Sequence, residues 1–250
     1  MNVSELLGSF KACEGVPVDA ASSPDEVDAA WCLRFLRAIR DVSFATVDES
    51  GLPSVRVIDV MAVTEDSLYF LAPRGKAFHG DVVREGYVAL VGQTSDYRTC
   101  RLRGRAVRPE GAELQHALVD AMFELNPSMN LIYPGDARYI CDVFCITSGQ
   151  GEYFDLGRQP IFRRSFTFGP GGGAGVAAGS VRTFVITDRC VGCGTCAARC
   201  PQGCVKAGVP FAIEQEHCLH CGICQEACPE DAIECKRLER REEDAEIDGR

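Results

Sequence analysis

Cys190-Val-Gly-Cys193-Gly-Thr-Cys196-Ala-Ala-Arg-Cys200-Pro201 returns 28 residues later as Cys218-Leu-His-Cys221-Gly-Ile-Cys224-Gln-Glu-Ala-Cys228-Pro229. Both copies read C-x2-C-x2-C-x3-C-P. Three thiolates at this spacing wrap one side of an inorganic centre on a tight loop. The fourth lies too far along to complete that loop and is expected to open a helix leading to a second centre. The proline ends the loop and removes a backbone donor. Gly194 and Gly222 are expected to relieve crowding where the backbone nears the centre. The chain holds 15 cysteines in 250 residues, nine of them between Cys190 and Cys228. An odd count, packed into one region, argues against a disulfide framework and for metal binding.

Zinc is the first alternative, but zinc knuckles use ligands two by two, not four cysteines in one short run, twice. The spacing is that of bacterial iron–sulfur proteins with [4Fe–4S] clusters. Over about 50 residues this part resembles the two-cluster bacterial ferredoxin domain, with eight cysteines and two prolines in register. The resemblance implies one cluster on Cys190, Cys193, Cys196 and Cys228, and a second on Cys218, Cys221, Cys224 and Cys200. His217 and His220 read as histidines beside a cluster rather than ligands, and Cys204 and Cys235 as thiols outside the repeat. Asp188, Glu214, Glu216, Glu226, Glu230, Asp231 and Glu234 outnumber Arg182, Arg189, Arg199 and Lys206 in this block; the acidic face reads either as a docking surface for a basic redox partner or as solvated surface.

Composition divides the chain. Residues 1–150 hold five scattered cysteines and alternating apolar segments. Residues 151–181 form an extension and a Gly-rich linker, GPGGGAGVAAGS at 169–180. Residues 182–236 carry the cysteine repeat, and 237–250 are a charged tail. The linker also satisfies G-x-G-x-x-A through Gly173, Gly175 and Ala178. The cysteine block begins too soon for the crossover helix of a dinucleotide site, so a linker is the expected role. The apolar fraction is 46% and the net charge −10, as in a globular chain with little attraction to nucleic acid or an anionic membrane. No apolar run approaches the ~20 residues of a membrane span. The first twenty residues are not expected to act as a secretory signal, and a cytoplasmic protein is expected.

The first block reads as α+β, mainly β. Ser23-Pro24-Asp25-Glu26 predicts a helix start. Trp31, Cys32, Phe35, Leu36 and Ile39 extend that helix over about 24–40. Strands are predicted at 42–47, 54–63, 68–71, 87–92, 100–107 and 140–147. A turn at Asp48-Glu49-Ser50-Gly51 joins the first two. Helices are predicted at 76–84 and 110–125. Along 100–107, Arg101, Arg103 and Arg105 face one way, and Leu102, Gly104 and Ala106 the other. Arg98 and Arg108 continue the basic row, which reads either as an exposed ladder or as an anion site. Short strands with tight turns suggest a small barrel. Arg56, Arg74 and Lys76 are brought near the start of the 76–84 helix, where free N–H groups and the helix dipole favour an anion such as a phosphate monoester.

With its leading helix, the ATVDESGLPSVRV hairpin, LYFLAPRGKAF and CRLRGRAV, this block resembles the FMN-binding split-barrel family typified by pyridoxamine 5′-phosphate oxidase, over about residues 25–147. The resemblance implies a six-stranded split β-barrel that dimerises with flavin at the subunit interface. It implies that Arg56, Arg74 and Lys76 hold the FMN phosphate, and that the backbone of Val57, Ile58 and Asp59 contacts the ring. The substrate residues of the pyridoxamine-phosphate enzymes are not recognisable, so that activity is not expected. Tyr133 reads as a ring near the flavin or a plug of the barrel end. His79 and His116 read as structural, and Cys13, Cys32, Cys100, Cys141 and Cys145 as core thiols.

Together the two parts predict an FMN-dependent oxidoreductase. It would move electrons between a small organic substrate and an external redox carrier through two [4Fe–4S] clusters. The alternative is a non-catalytic electron-transfer or redox-sensing protein whose barrel binds flavin or haem.

Overall fold

A computed structural model describes residues 3–15, 26–170 and 182–237. It divides into two compact units, Met1–Tyr153 with Ser165–Gly172, and Phe154–Arg164 with Gly173–Arg250. Among the described residues no helix is long and apolar enough to cross a membrane.

The first unit is built on an antiparallel sheet. β1 (Asp41–Val47), β2 (Pro53–Asp59), β3 (Ala62–Val63), β4 (Leu68–Pro73), β5 (Tyr87–Gln93), β6 (Arg98–Val107) and β7 (Cys141–Asp155) run in the order β2-β1-β5-β6-β7-β4-β3, and β8 (Phe162–Phe168) pairs with β7. The architecture is mainly β, as expected. The six expected strands are present, with the short β3 and the additional β8 beside them.

The segment expected as one strand over 54–63 is broken. Val60 N–H donates to the Arg40 carbonyl (2.8 Å) and Met61 N–H to that of Tyr69 (2.9 Å), so the chain changes partner from β1 to β4 at this point. The last strand runs far past Thr147, and both of its faces are buried through Ile146. β6 and β7 meet where glycines allow it: a Cβ on Gly104 would collide with the Ser148 carbonyl oxygen.

Four helices cover the sheet. α1 (Val3–Cys13) was not foreseen from the sequence. Its Leu6 and Phe10 bury with Met61, Tyr69, Leu118 and Met122, the last two from α4 (Ala112–Leu125). α2 (Ala29–Ile39) begins later than predicted. Ser23, Pro24 and Asp25 lie outside the described residues; the cap is Asp28, whose carboxylate accepts from Trp31 N–H at 2.7 Å, as the first turn's free donors require. Trp31 and Phe35 then pack edge-on against Tyr153. α3 (Ala77–Glu85) lays Phe78 against Phe44 and Phe70, and Phe70 stacks on Phe144 with centroids 5.5 Å apart. Each such buried ring contributes roughly 1.5–3 kcal/mol.

In the second unit, β9 (Arg182–Ile186) pairs antiparallel with β12 (Ile233–Arg237), and β10 (Val205–Lys206) with β11 (Ala212–Ile213). Two one-turn helices, α5 (Thr195–Arg199) and α6 (Ile223–Glu226), stand between them. The expected linker from 171 onward and the tail beyond 237 lie outside the described residues.

Candidate functional site

The two cysteine loops repeat one local geometry. Gly194 (φ 77°) and Gly222 (φ 85°) are left-handed and cap α5 and α6. Glycine suits that backbone; against the protein's own atoms a Cβ on Gly194 would meet nothing nearer than 3.9 Å, and on Gly222 nothing nearer than 3.4 Å. The third cysteine of each copy, Cys196 or Cys224, falls inside the short helix and is buried. The fourth was expected to open a helix. Instead Cys200 closes α5 and Cys228 follows α6, because the helix has already started at the left-handed glycine.

Folding brings the eight repeat cysteines into two groups. Cys190, Cys193 and Cys196 line one cavity with Cys228, walled by Ile186, Phe211 and Ile233. Cys218, Cys221 and Cys224 line another with Cys200, walled by Phe184, Val205 and Ile213. The cavities are similar in size. Each wall takes three cysteines from one copy and at least one from the other. Cys204 also lines the second cavity, which the sequence reading did not foresee; its position four residues past Cys200 was the available sign.

Hydrogen bonds and burial act on the sulfurs in opposite directions. Backbone N–H groups of His220 and Ala232 point at the sulfurs of Cys218 and Cys228, each at 3.3 Å. The Thr195 hydroxyl beside Cys193 draws that thiol down. Burial pushes the Cys196, Cys218 and Cys224 thiols up, Cys224 to about 11; at Cys218 the Arg163 guanidinium pulls the other way. Thiolates in such apolar walls need a metal to hold them deprotonated. Among the described residues no three His, Cys, Asp or Glu side chains converge tightly enough to hold a single metal ion. Four sulfurs around an apolar volume suit a polynuclear iron–sulfur centre.

In the first unit the basic residues gather around α3. Lys76 is its N-cap, extended (φ −91°, ψ 140°), exposed, and makes no side-chain capping bond. Arg56 comes from β2 and lies over Phe78, its guanidinium 4.9 Å from the ring centroid. It donates to Thr46 Oγ1 at 2.7 Å, to Asp81 Oδ2 at 3.4 Å and to the Ser54 hydroxyl. Arg74 ends β4 and donates to Asp142 Oδ1 at 3.1 Å and to the Tyr139 carbonyl at 2.7 Å. Both arginines are thus already matched by buried aspartates that the sequence reading did not assign. Asp142 also receives His79 (2.8 Å) and Arg108 (2.8 Å). Burial works to raise the Asp142 carboxyl, but Arg108 and His79 outweigh it and hold it at about 2.

Val57, Ile58 and Asp59 lie on β2, an edge strand whose outer backbone groups no other strand among the described residues takes up. Val57 is 65% exposed. Burial raises the Asp59 carboxyl, and neighbouring Asp41 adds to it. The basic row on β6 is largely compensated: Arg98 meets Asp96, Arg101 meets Glu152 and Arg108 meets Asp142. Tyr133 packs against the core, and His116 stacks on Tyr139 at 4.4 Å. Cys13, Cys32, Cys100, Cys141 and Cys145 are buried thiols outside any disulfide, whereas Cys235 is exposed on β12.

The doubled, cysteine-walled site defines the second unit as an iron–sulfur domain of ferredoxin type. Residues 183–206 and 211–234 match the family model described as the 4Fe-4S binding domain. Solved structures similar to the chain cover its N-terminal part. A NimC/NimA family protein of Clostridium acetobutylicum shares 17% identity at a TM-score of 0.46, covering 66% of this chain and 96% of its own. A pyridoxamine 5′-phosphate oxidase-related, FMN-binding protein of Nostoc punctiforme shares 17% at 0.42, covering 56% and 92%. A heme-binding protein of Mycobacterium smegmatis shares 15% at 0.44, covering 59% of each chain. The comparison with curated proteins found no match.

Proposed function

We propose that the chain is an FMN-dependent oxidoreductase that links a small organic substrate to an external redox carrier through two [4Fe–4S] clusters. The observation that carries it is the pair of cavities, each lined by three cysteines of one copy and the fourth of the other. Cys190, Cys193, Cys196 and Cys228 hold one cluster; Cys218, Cys221, Cys224 and Cys200 hold the second. Lys76, with Arg56 and Arg74 beside α3, receives the FMN phosphate, and the open edge of β2 at Val57, Ile58 and Asp59 offers backbone groups to the ring. When bound, FMN supplies two-electron chemistry on an organic molecule and the clusters supply single-electron traffic. The chain's own groups fix the phosphate, exclude water with the apolar walls around the thiolates, and set the charge near each centre. The protein is a cytoplasmic homodimer in this reading.

A second reading has its own support: Arg56 and Arg74 are already engaged by Asp81 and Asp142, as expected of a barrel that holds no phosphate. The chain would then be a non-catalytic electron carrier or redox sensor whose barrel holds haem or a flavin without a phosphate. Anaerobic purification with iron, sulfide and extracted-flavin assays separates the two. About eight iron atoms per chain, from two four-iron clusters, together with extracted FMN, support the oxidoreductase. Bound zinc refutes the clusters, and haem or no flavin refutes the FMN site.

A further inference from the structure

Gly192 and His220 hold the same place in the two cysteine loops, between the first and second cysteine, and both are left-handed, at φ 75° and 54°. Glycine suits that backbone; histidine is strained in it. The strained residue is pinned rather than loose. Its backbone N–H donates to Cys218 Sγ at 3.3 Å, and its ring Nδ1 lies 2.6 Å from Arg163 Nη1. A guanidinium can only donate, so Nδ1 accepts and the charge of this contact resides on Arg163. Arg163 is half-buried, lies over the Phe154 ring at 4.8 Å and stays protonated at any working pH.

Arg163 lies outside the cysteine repeat. Its segment makes two more contacts beside the same cavity, through Ile161: its N–H donates to Gln202 Oε1 at 3.2 Å, just past Cys200, and its carbonyl meets His217 Nδ1, just before Cys218, at 2.8 Å. Gln202 lines the second cavity. Its counterpart 28 residues on is Glu230, which lines the first. The two cavities share the four repeat cysteines each but differ in charge: a carboxylate on the rim of one, a neutral amide and a guanidinium beside the other, which Cys204 also lines.

Resting on the two-cluster reading above, we infer that Arg163 sets the two clusters at different reduction potentials, with the cluster on Cys218, Cys221, Cys224 and Cys200 the more easily reduced. Added positive charge near a cluster favours its reduced, more negative state. Arg163 is a positioning and tuning residue, not a ligand.

The test is a potentiometric titration of the anaerobic full chain, followed by EPR and absorbance. Native protein gives two separate transitions. Arg163→Gln moves the higher one negative, by about tenfold in its reduction equilibrium or about 59 mV for one electron, and leaves the lower one in place. Arg163→Lys restores most of the gap, and Glu230→Gln moves the lower transition positive. Coincident native transitions overturn the inference, as does an Arg163→Gln protein with full iron and an unmoved higher transition. If Arg163→Gln loses iron, Arg163→Lys and Glu230→Gln decide: a native-like gap in the first and a narrowed gap in the second uphold it, and unchanged potentials in Glu230→Gln sink it. Native protein with no iron–sulfur signal refutes the cluster reading itself.

Discussion

The sulfurs of Cys200 and Cys204 lie 3.5 Å apart on the wall of the second cavity. Burial pushes the Cys204 thiol far up. Burial also works to raise Cys200, but backbone N–H groups of Cys204 and Gln202 outweigh it and draw that thiol down. Cys200 is therefore the readier thiolate, with a second sulfur beside it. Cys200→Ala is expected to keep more iron than Cys200→Ala/Cys204→Ala. The double variant should fall to about half the native content, one four-iron cluster of two, and Cys204→Ala alone should match native protein. Iron and sulfide assays after anaerobic purification measure this; a double variant with native iron contradicts it.

Lys76 and Arg56 approach the start of α3 from different elements. Arg56→Ala and Lys76→Ala are each expected to weaken FMN by about tenfold or more while changing riboflavin little. Only FMN carries the phosphate, and one charge-assisted bond to it is typically worth about 1.5–3 kcal/mol. Fluorescence titration with both flavins reads the difference. Equal losses would show that neither side chain touches phosphate.

The Asp142 carboxyl sits at about 2 instead of the ordinary 3.8. A depressed carboxyl contributes fully above about pH 4 and loses its contribution as pH falls toward 2, for a total of about 2 kcal/mol. Asp142→Asn removes that dependence and leaves Arg74 and Arg108 uncompensated. Urea unfolding of the native protein is expected to weaken more steeply between pH 4 and 2 than that of the variant. Parallel curves would mean that the Asp142 cluster does not hold the carboxyl ionised.

Gly104 faces the Ser148 carbonyl so closely that no side chain fits without moving a strand. Gly104→Ala is expected to cost about 1–3 kcal/mol, the range for overpacking. Gly80, inside α3, has open space where its Cβ would stand, so Gly80→Ala should be neutral or stabilise by up to about 1 kcal/mol. Chemical denaturation of the two variants compares them directly. Equal effects would deny the close approach of β6 and β7.

Part of the fold and of the site is legible in the sequence. Alternation along Arg101–Ala106 placed both faces of β6, because a half-buried strand has a period of two. The eight repeat cysteines could be grouped because their spacing is local and doubled. Other features depend on distant partners. The break at Val60-Met61 exists because Arg40 and Tyr69 compete for successive N–H groups, and nothing in the strand's own sequence marks that. α1 is helical where its apolar face meets Met61 and Tyr69. Asp81 and Asp142 gave no sign that they would claim Arg56 and Arg74, since ion pairs across 25 and 68 residues leave no periodicity. Arg163 was hidden for the same reason, 57 residues from His220.

Neither copy of the cysteine motif encloses a cavity without a sulfur from its twin. The second unit is in effect a dimer written into one chain, with each half lending a cysteine and borrowing one. A lone 28-residue half would need to find another at a rate set by concentration. The stretch between Pro201 and His217 turns that encounter into an intramolecular closure at high effective concentration. Loss of a lent cysteine from one half is consequently felt in the other half's cavity.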